Sequence, residues 1–215
     1  MFAGGDRPAS LPPDLADPAD GAFVACADRG LEHCLAAGRR PDLIVGDFDS
    51  VAPGLLERVE CRGAERVALP AAKDASDLEV TLERLERGGP AGPFAEACLV
   101  GVSGGRTDHL LFNWLLVAAR PRPFRLRLVD DTVDAREVRP GAPTRLPGPA
   151  GRTVSLLAPR RATGVATRGL RWELAGATIG PGSTLGLSNE IASGDGAEVS
   201  VGAGVLLAML VRGTA

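Results

Sequence analysis

The stretch Asp42-Leu43-Ile44-Val45-Gly46-Asp47-Phe48-Asp49-Ser50 decides how this chain is read. Its first part is a short apolar run with β-branched residues, the pattern of a buried strand. Its second part sets carboxylates at the strand's C-terminal end, where open α/β sheets bind ligands. Working outward, the same order of strand, polar turn and helix repeats. Val67-Ala68-Leu69 leads into Lys73-Asp74-Ala75-Ser76-Asp77, where Ser76 is an N-cap candidate for a helix from Asp77 to about Arg87. In that helix Leu78, Thr81, Leu82 and Leu85 fall on one apolar face. Ala97-Cys98-Leu99-Val100-Gly101-Val102 leads into Gly104-Gly105-Arg106-Thr107-Asp108-His109 and a helix from about Thr107 to Ala119, closed by Pro121. Upstream, Met1-Phe2-Ala3-Gly4-Gly5 reads as the tail of a first strand entering a glycine loop. Phe23 to Ala27 reads as a strand ending at Asp28, and Leu31 to Ala37 as a helix stopped by Gly38. The prolines between Pro8 and Asp20 argue against a helix there. Pro53 is read as opening a helix carrying Leu55, Leu56 and Val59, and Phe124 to Val129 as a further strand.

Such alternation implies an α/β region with a mostly parallel sheet and helices on both faces. After Asp131 the pattern changes. Short β-like runs at Val154–Leu157, Gly164–Thr167, Thr184–Leu187, Val199–Val201 and Val205–Val211 are separated by glycine and proline. That predicts a C-terminal antiparallel β-sandwich. The expected division is 1–130 and 131–215, with the boundary in the stretch from Asp130 to Gly151, where Pro140, Pro143, Pro147 and Pro149 cluster.

The 215 residues are 45% hydrophobic and 24% charged, enough to bury a core without disulfides. A net charge of −3 argues against a broad nucleic-acid surface. No apolar run has membrane-spanning length, and the N-terminus lacks a signal-peptide pattern. Cys26, Cys34, Cys61 and Cys98 have no paired spacing and read as buried thiols of a cytoplasmic protein. Lys73 is the only lysine among 24 basic residues, and it stands beside Asp74. A compact ammonium suits a phosphate that moves during reaction, and equally a structural ion pair.

The acidic turns point to chemistry together more than singly. Asp47 and Asp49, two apart at a strand end, share a face if the strand geometry persists, with Phe48 turned to the core. Otherwise Asp49 or Ser50 caps the next helix. Asp74 and Asp77 flank a helix start, where acids also favour the helix dipole. Gly104-Gly105 lets backbone N–H groups approach an anion, and Arg106 adds charge-assisted donors, while Asp108 at the helix start also reads as a cap. Clustered carboxylates without a thiol or imidazole partner predict a hard cation such as Mg²⁺, and with it phosphoryl-type transfer.

These segments, with Asn113, Cys26-Ala27-Asp28-Arg29-Gly30 and Leu187-Ser188-Asn189-Glu190, resemble the thiamine pyrophosphokinase family along nearly the whole chain. The resemblance implies an α/β nucleotide domain followed by a β-sandwich that binds thiamine and dimerises. It implies transfer of a diphosphate group from ATP to the thiamine hydroxyl with Mg²⁺, releasing AMP, in a homodimer with thiamine bound between subunits. By the same resemblance Asp47, Asp49 and Asp77 hold the metal. Lys73, Asp74, Arg106, Asp108, His109 and Asn113 meet ATP, and Asp28, Trp172, Ser188 and Asn189 meet thiamine. Lys73, Asp74, Arg106 and Asp108 join the metal carboxylates as the catalytic set. Ser76 stands where the family usually has threonine, and both carry a hydroxyl. Two other readings compete: a diphosphokinase for another small alcohol such as a hydroxymethyl pterin, and a nucleotide-binding regulatory module without turnover.

Overall fold

A computed structural model describes residues 1–16, 21–49 and 51–212, so Ser50 and its capping role lie outside the described residues. The chain forms two compact units, Met1–Asp131 and Thr132–Ala215.

The first unit is built on parallel strands: β1 (Ala25–Ala27), β2 (Leu43–Gly46), β3 (Glu65–Ala68), β4 (Glu96–Val100) and β5 (Arg125–Val129). β1 pairs with β2, β2 with β3, and β4 with β5, all parallel. The centre of the sheet is the shortest piece of it. Phe2 bridges in parallel to Cys26 on one side and to Val100 on the other, joining β1 to β4. The spatial order is therefore β3-β2-β1-Phe2-β4-β5. The chain starts in the middle, builds one side outward, then crosses to build the other. That reversal is a topological switch point, and it lies between the Phe2 strand and β4. Leu43, Ile44 and Val45 are fully buried although successive side chains point to opposite faces, so both faces of β2 are covered.

The helices are α1 (Pro13–Ala16), α2 (Gly30–Ala36), α3 (Asp77–Glu86) and α4 (Thr107–Ala119). Gly38 takes φ +68° just past α2, the left-handed stop expected of it. Ser76 caps α3, its hydroxyl accepting from the Glu79 N–H at 3.2 Å, and Leu78, Thr81, Leu82 and Leu85 are all buried. Two expectations fail here. One helical turn forms at Pro13–Ala16 because proline is tolerated at the first helical position. The helix expected from Pro53 is absent, and only a 3₁₀ turn at Val59–Cys61 remains. Gly54 at φ +78° breaks the helical path immediately after Pro53, while Leu55 and Leu56 still pack on the core beside Cys26, Cys34 and Cys61.

The second unit contains β6 (Val133–Val138), β7 (Thr144–Leu146), β8 (Thr153–Leu157), β9 (Ala162–Arg168), β10 (Ala177–Ile179), β11 (Asn189–Glu190), β12 (Ala197–Ser200) and β13 (Leu206–Val211). Strands run antiparallel in the orders β11-β8-β13-β6 and β10-β9-β12-β7. Val154, Leu206, Ala208 and Leu210 from the first set share one core with Leu146, Val165, Ile179 and Val199 from the second. This is the expected sandwich. The proline-rich stretch is not a bare linker, because β6 and β7 occupy Val133–Val138 and Thr144–Leu146. Thr184–Leu187 is a turn rather than a strand, closed by the Leu187 N–H on the Thr184 carbonyl at 3.0 Å.

Candidate active site

The strand ends of the first unit deliver the acids. Asp28 follows β1 at φ +48°, and its N–H donates to the Val45 carbonyl at 2.8 Å, which ties it to the end of β2. Gly46 leaves room for this: a Cβ there would lie 3.3 Å from the Asp28 Cα. Asp47 and Asp49 follow directly, but not as strand neighbours. β2 stops at Gly46 and Phe48 sits at φ +62°. The shared-face argument from strand alternation therefore does not hold. A turn brings the two acids together instead, with Asp47 Oδ1 accepting the Asp49 N–H at 3.3 Å. Phe48 does pack against the core.

Carboxylate oxygens of Asp28, Asp47 and Asp49 all lie within 4.8 Å of one another, a group able to hold a metal ion. Lys73 lies beside them. Its Nζ is 3.0 Å from Asp47 Oδ2 and 2.9 Å from Asp77 Oδ1. Burial works against the ammonium, but hydrogen bonds to Asp77 and Asp47 outweigh it and raise its pKa. The same ammonium, together with hydrogen bonds from Asp49, holds the Asp47 carboxyl below its ordinary value. Asp77 thus reaches the acidic group through Lys73, whereas Asp28 meets Asp47 and Asp49 directly. Asp74 is exposed.

The Gly104-Gly105 turn follows β4, with φ +89° and +62°. Arg106 precedes α4 and forms a two-pronged pair with Asp108, Nε to Oδ1 at 3.1 Å and Nη2 to Oδ2 at 2.5 Å. Asp108 Oδ1 also accepts the His109 N–H at 2.9 Å. Arg106 first, and that N–H second, push the Asp108 pKa down to about 2. The Arg106 guanidinium is held charged in return. His109 is exposed. Asn113 faces the turn's backbone, its Nδ2 donating to the Val102 carbonyl at 3.0 Å.

In the second unit the Asn189 side-chain amide holds the Trp172 backbone. Asn189 Nδ2 donates to the Trp172 carbonyl at 2.7 Å, and Asn189 Oδ1 accepts the Trp172 N–H at 3.2 Å. Asn189 is buried while Trp172 is 54% exposed, so the amide fixes the bend between β9 and β10 that presents the indole. Arg171 lies over that indole, 4.8 Å from the ring centroid, and also pairs with Glu190 at 3.2 Å. Ser188 is exposed at φ +57°.

Residues 19–127 match the family described as "Thiamin pyrophosphokinase, catalytic domain", and residues 143–206 match "Thiamin pyrophosphokinase, vitamin B1 binding domain". A thiamine pyrophosphokinase of Bacillus subtilis is 30% identical over 218 residues, spanning 100% of this chain and 97% of that protein. The chain belongs to the thiamin pyrophosphokinase family. A crystal structure of the Bacillus subtilis thiamine pyrophosphokinase superposes with a TM-score of 0.79 at 25% identity, covering 99% of this chain and 97% of that one. A thiamin pyrophosphokinase family protein from Enterococcus faecalis gives 0.76 at 27% identity, covering 99% and 97%.

The match to the thiamin pyrophosphokinase catalytic domain contains every acid-bearing turn discussed above, and the vitamin B1 binding match contains Trp172, Ser188 and Asn189. Two hydrogen bonds at the β4 turn escape a reading of motifs. Asp6 Oδ2 accepts the Gly105 N–H at 3.3 Å, and Trp114 Nε1 donates to Ser103 Oγ at 3.2 Å. Asp6 lies ahead of the matched segment. The glycine loop at Gly4-Gly5 was its only signal.

Proposed function

We propose that this chain transfers the diphosphate group of ATP to the hydroxyl of thiamine, giving thiamine diphosphate and AMP. As a member of the thiamin pyrophosphokinase family it is an ATP-dependent transferase of diphosphate groups. The observation that carries the mechanism is the group of Asp28, Asp47 and Asp49 beside Lys73. The matched vitamin B1 binding domain disfavours a pterin acceptor, and the assembled acidic group disfavours a module without turnover.

The donor set fits a hard divalent cation: carboxylates from two neighbouring strand ends, with no thiolate or imidazole in the group. We assign Mg²⁺ to Asp28, Asp47 and Asp49, with Asp77 a fourth carboxylate joined through Lys73. When bound, the cation would offset charge on the polyphosphate. The protein's own groups do the rest. Lys73 is held charged between Asp47 and Asp77, ready to meet phosphate oxygens as a compact donor. Arg106 exchanges Asp108 for the polyphosphate, trading one charge-assisted pair for another. The glycine turn and the N-terminus of α4 present backbone N–H groups to it, with Asn113, Asp108, His109 and Asp74 around that arrangement. The hydroxyl oxygen of thiamine attacks the β-phosphorus and gives up its proton, the bond from that phosphorus to the bridging α-phosphate oxygen breaks, and AMP leaves with that oxygen.

On the acceptor side, the cationic thiazolium is attracted by the acidic group. Trp172 offers a ring face once Arg171 swings toward Glu190, with which it is already paired, and Ser188 presents its hydroxyl. Asn189 acts by holding Trp172. We read the protein as a homodimer, the acidic crevice of one copy working with the Trp172 bend of the other. We also read it as cytoplasmic, which the four cysteines, none of them in a disulfide, support. Among the described residues no helix is long and apolar enough to cross a membrane.

The test is incubation with ATP, Mg²⁺ and thiamine. Thiamine diphosphate and AMP should appear in equal amounts. ADP as the product, or AMP release that ignores thiamine, would sink the assignment.

A further inference from the structure

The glycine turn after β4 has a mechanical problem. Gly104 and Gly105 both sit at positive φ, and glycines lose the most conformational freedom when ordered. A turn meant to aim N–H groups at a polyphosphate must be restrained by something else. The structure supplies restraint from two sides. From the loop after the central Phe2 strand, the Gly5 N–H donates to the Gly101 carbonyl and the Asp6 N–H to the Ser103 carbonyl, each at 2.8 Å. The Asp6 carboxylate then reaches the turn, Oδ2 accepting the Gly105 N–H at 3.3 Å. The fit is close, since a Cβ on Gly104 would fall 2.0 Å from Asp6 Oδ2. From α4, Trp114 Nε1 holds Ser103 Oγ at 3.2 Å and Asn113 holds the Val102 carbonyl at 3.0 Å. This clamped turn lies at the switch point between the Phe2 strand and β4, where the sheet order places the ligand crevice.

We infer that Asp6 and Trp114 are positioning residues for ATP: they fix the Gly104–Arg106 turn, Asp6 by taking the Gly105 N–H, so that the turn's remaining N–H groups and the Arg106 guanidinium are aimed at the polyphosphate. The inference rests on reading that turn as the polyphosphate site. The role carries a penalty, because Asp6 sets a negative charge beside the phosphates it helps to place. Its acceptor oxygen does the positioning, and its charge opposes binding.

That split gives a test a merely structural role would not pass. The variants are Asp6→Ala, Asp6→Asn, Trp114→Phe and, as a control on the underlying reading, Arg106→Ala. Kinetics are measured with ATP and thiamine varied separately, and Tm is recorded for each. Asp6→Ala removes the acceptor, and without that hydrogen bond KM for ATP should rise by about five- to tenfold. KM for thiamine should stay within about twofold, since an interaction made on the ATP side moves only that substrate. Asp6→Asn keeps an acceptor oxygen and loses the charge, so its KM for ATP should be equal to or lower than that of the unaltered protein. Trp114→Phe keeps a smaller aromatic ring and removes the donor, and should follow Asp6→Ala with a smaller rise of roughly threefold. If Asp6→Ala does not fold, Asp6→Asn and Trp114→Phe carry the test.

Arg106→Ala should raise KM for ATP on its own. If it does not, the polyphosphate reading of the turn fails and this inference fails with it. If Arg106→Ala has its effect but Asp6→Ala and Trp114→Phe leave KM for ATP unchanged, the positioning role alone is overturned. Equal impairment in Asp6→Asn and Asp6→Ala, or equal shifts in both substrates' KM values, would likewise overturn it in favour of a general structural role.

Discussion

Gly46→Ala tests which carboxylate completes the metal group. Gly46 is the last residue of β2, and an added Cβ would lie 3.3 Å from the Asp28 Cα and 3.4 Å from its N. Those distances are tighter than ordinary packing, so Asp28 must retreat by a few tenths of an ångström. Asp28 cannot retreat freely, because its N–H is bonded to the Val45 carbonyl and its φ is +48°. Overpacking of this kind costs about 1 kcal/mol at its low end, or roughly 2–4 °C in Tm for a chain of this size. The functional cost follows from displacement. A misplacement of about 1 Å costs on the order of 10² in rate, so about a third of that distance, scaled in the logarithm, costs about fivefold. If Asp28 holds the cation with Asp47 and Asp49, the Mg²⁺ concentration for half-maximal AMP formation should rise by a similar factor. Asp28→Asn should raise it further. Asp77→Asn should act mainly through Lys73, lowering kcat with a smaller change in Mg²⁺ demand. The reasoning is refuted if Gly46→Ala loses the expected Tm but keeps its Mg²⁺ dependence, or if Asp77→Asn shifts that dependence more than Asp28→Asn does.

Three other outcomes follow from the same geometry. Lys73→Ala should lower kcat by roughly 10²–10³, the usual loss for a preorganised donor at developing charge, and Lys73→Arg should not restore it because a planar fork does not fit between Asp47 and Asp77; an effect on Tm alone would mark a structural ion pair. Burial lowers the His33 pKa below 6.5, so the unfolded chain binds its proton more readily and stability is lost as pH falls from about 6.5 through the folded value; comparing Tm at pH 7.5 and 5.5 should show this slope, and a His33→Asn variant that keeps the whole slope would contradict it. Mixing inactive Asp49→Asn subunits with Trp172→Ala/Asn189→Ala subunits should regenerate activity if the acceptor is held between two copies, and no recovery after demonstrated subunit exchange would exclude that arrangement.

Local signals carried much of this protein. Ser76 as a cap, the buried face of Leu78, Thr81, Leu82 and Leu85, and α4 at Thr107–Ala119 were legible because caps and helical periodicity act within a few residues. So was the change from α/β to antiparallel β, since strand–helix alternation and glycine-bounded short strands are local patterns. The acid-bearing turns were legible for the same reason, being short motifs at strand ends. The sequence also failed locally where one residue overruled a pattern: Gly54 ended the helix begun at Pro53, and Phe48 at φ +62° replaced a strand pair by a turn. What only the tertiary structure decided is which distant residues meet. Asp28 joins Asp47 and Asp49 because β1 and β2 pair in parallel and Gly46 lets them close, and Lys73 joins Asp47 across 26 residues of chain. Asp6 reaches Gly105 across 99 because Phe2 is the middle strand of the sheet, although only one residue of it is bridged to either side. Sheet order is set by long-range pairing and burial, which no window of neighbouring residues encodes, so the interactions made at a switch point appear only when the strands are in place.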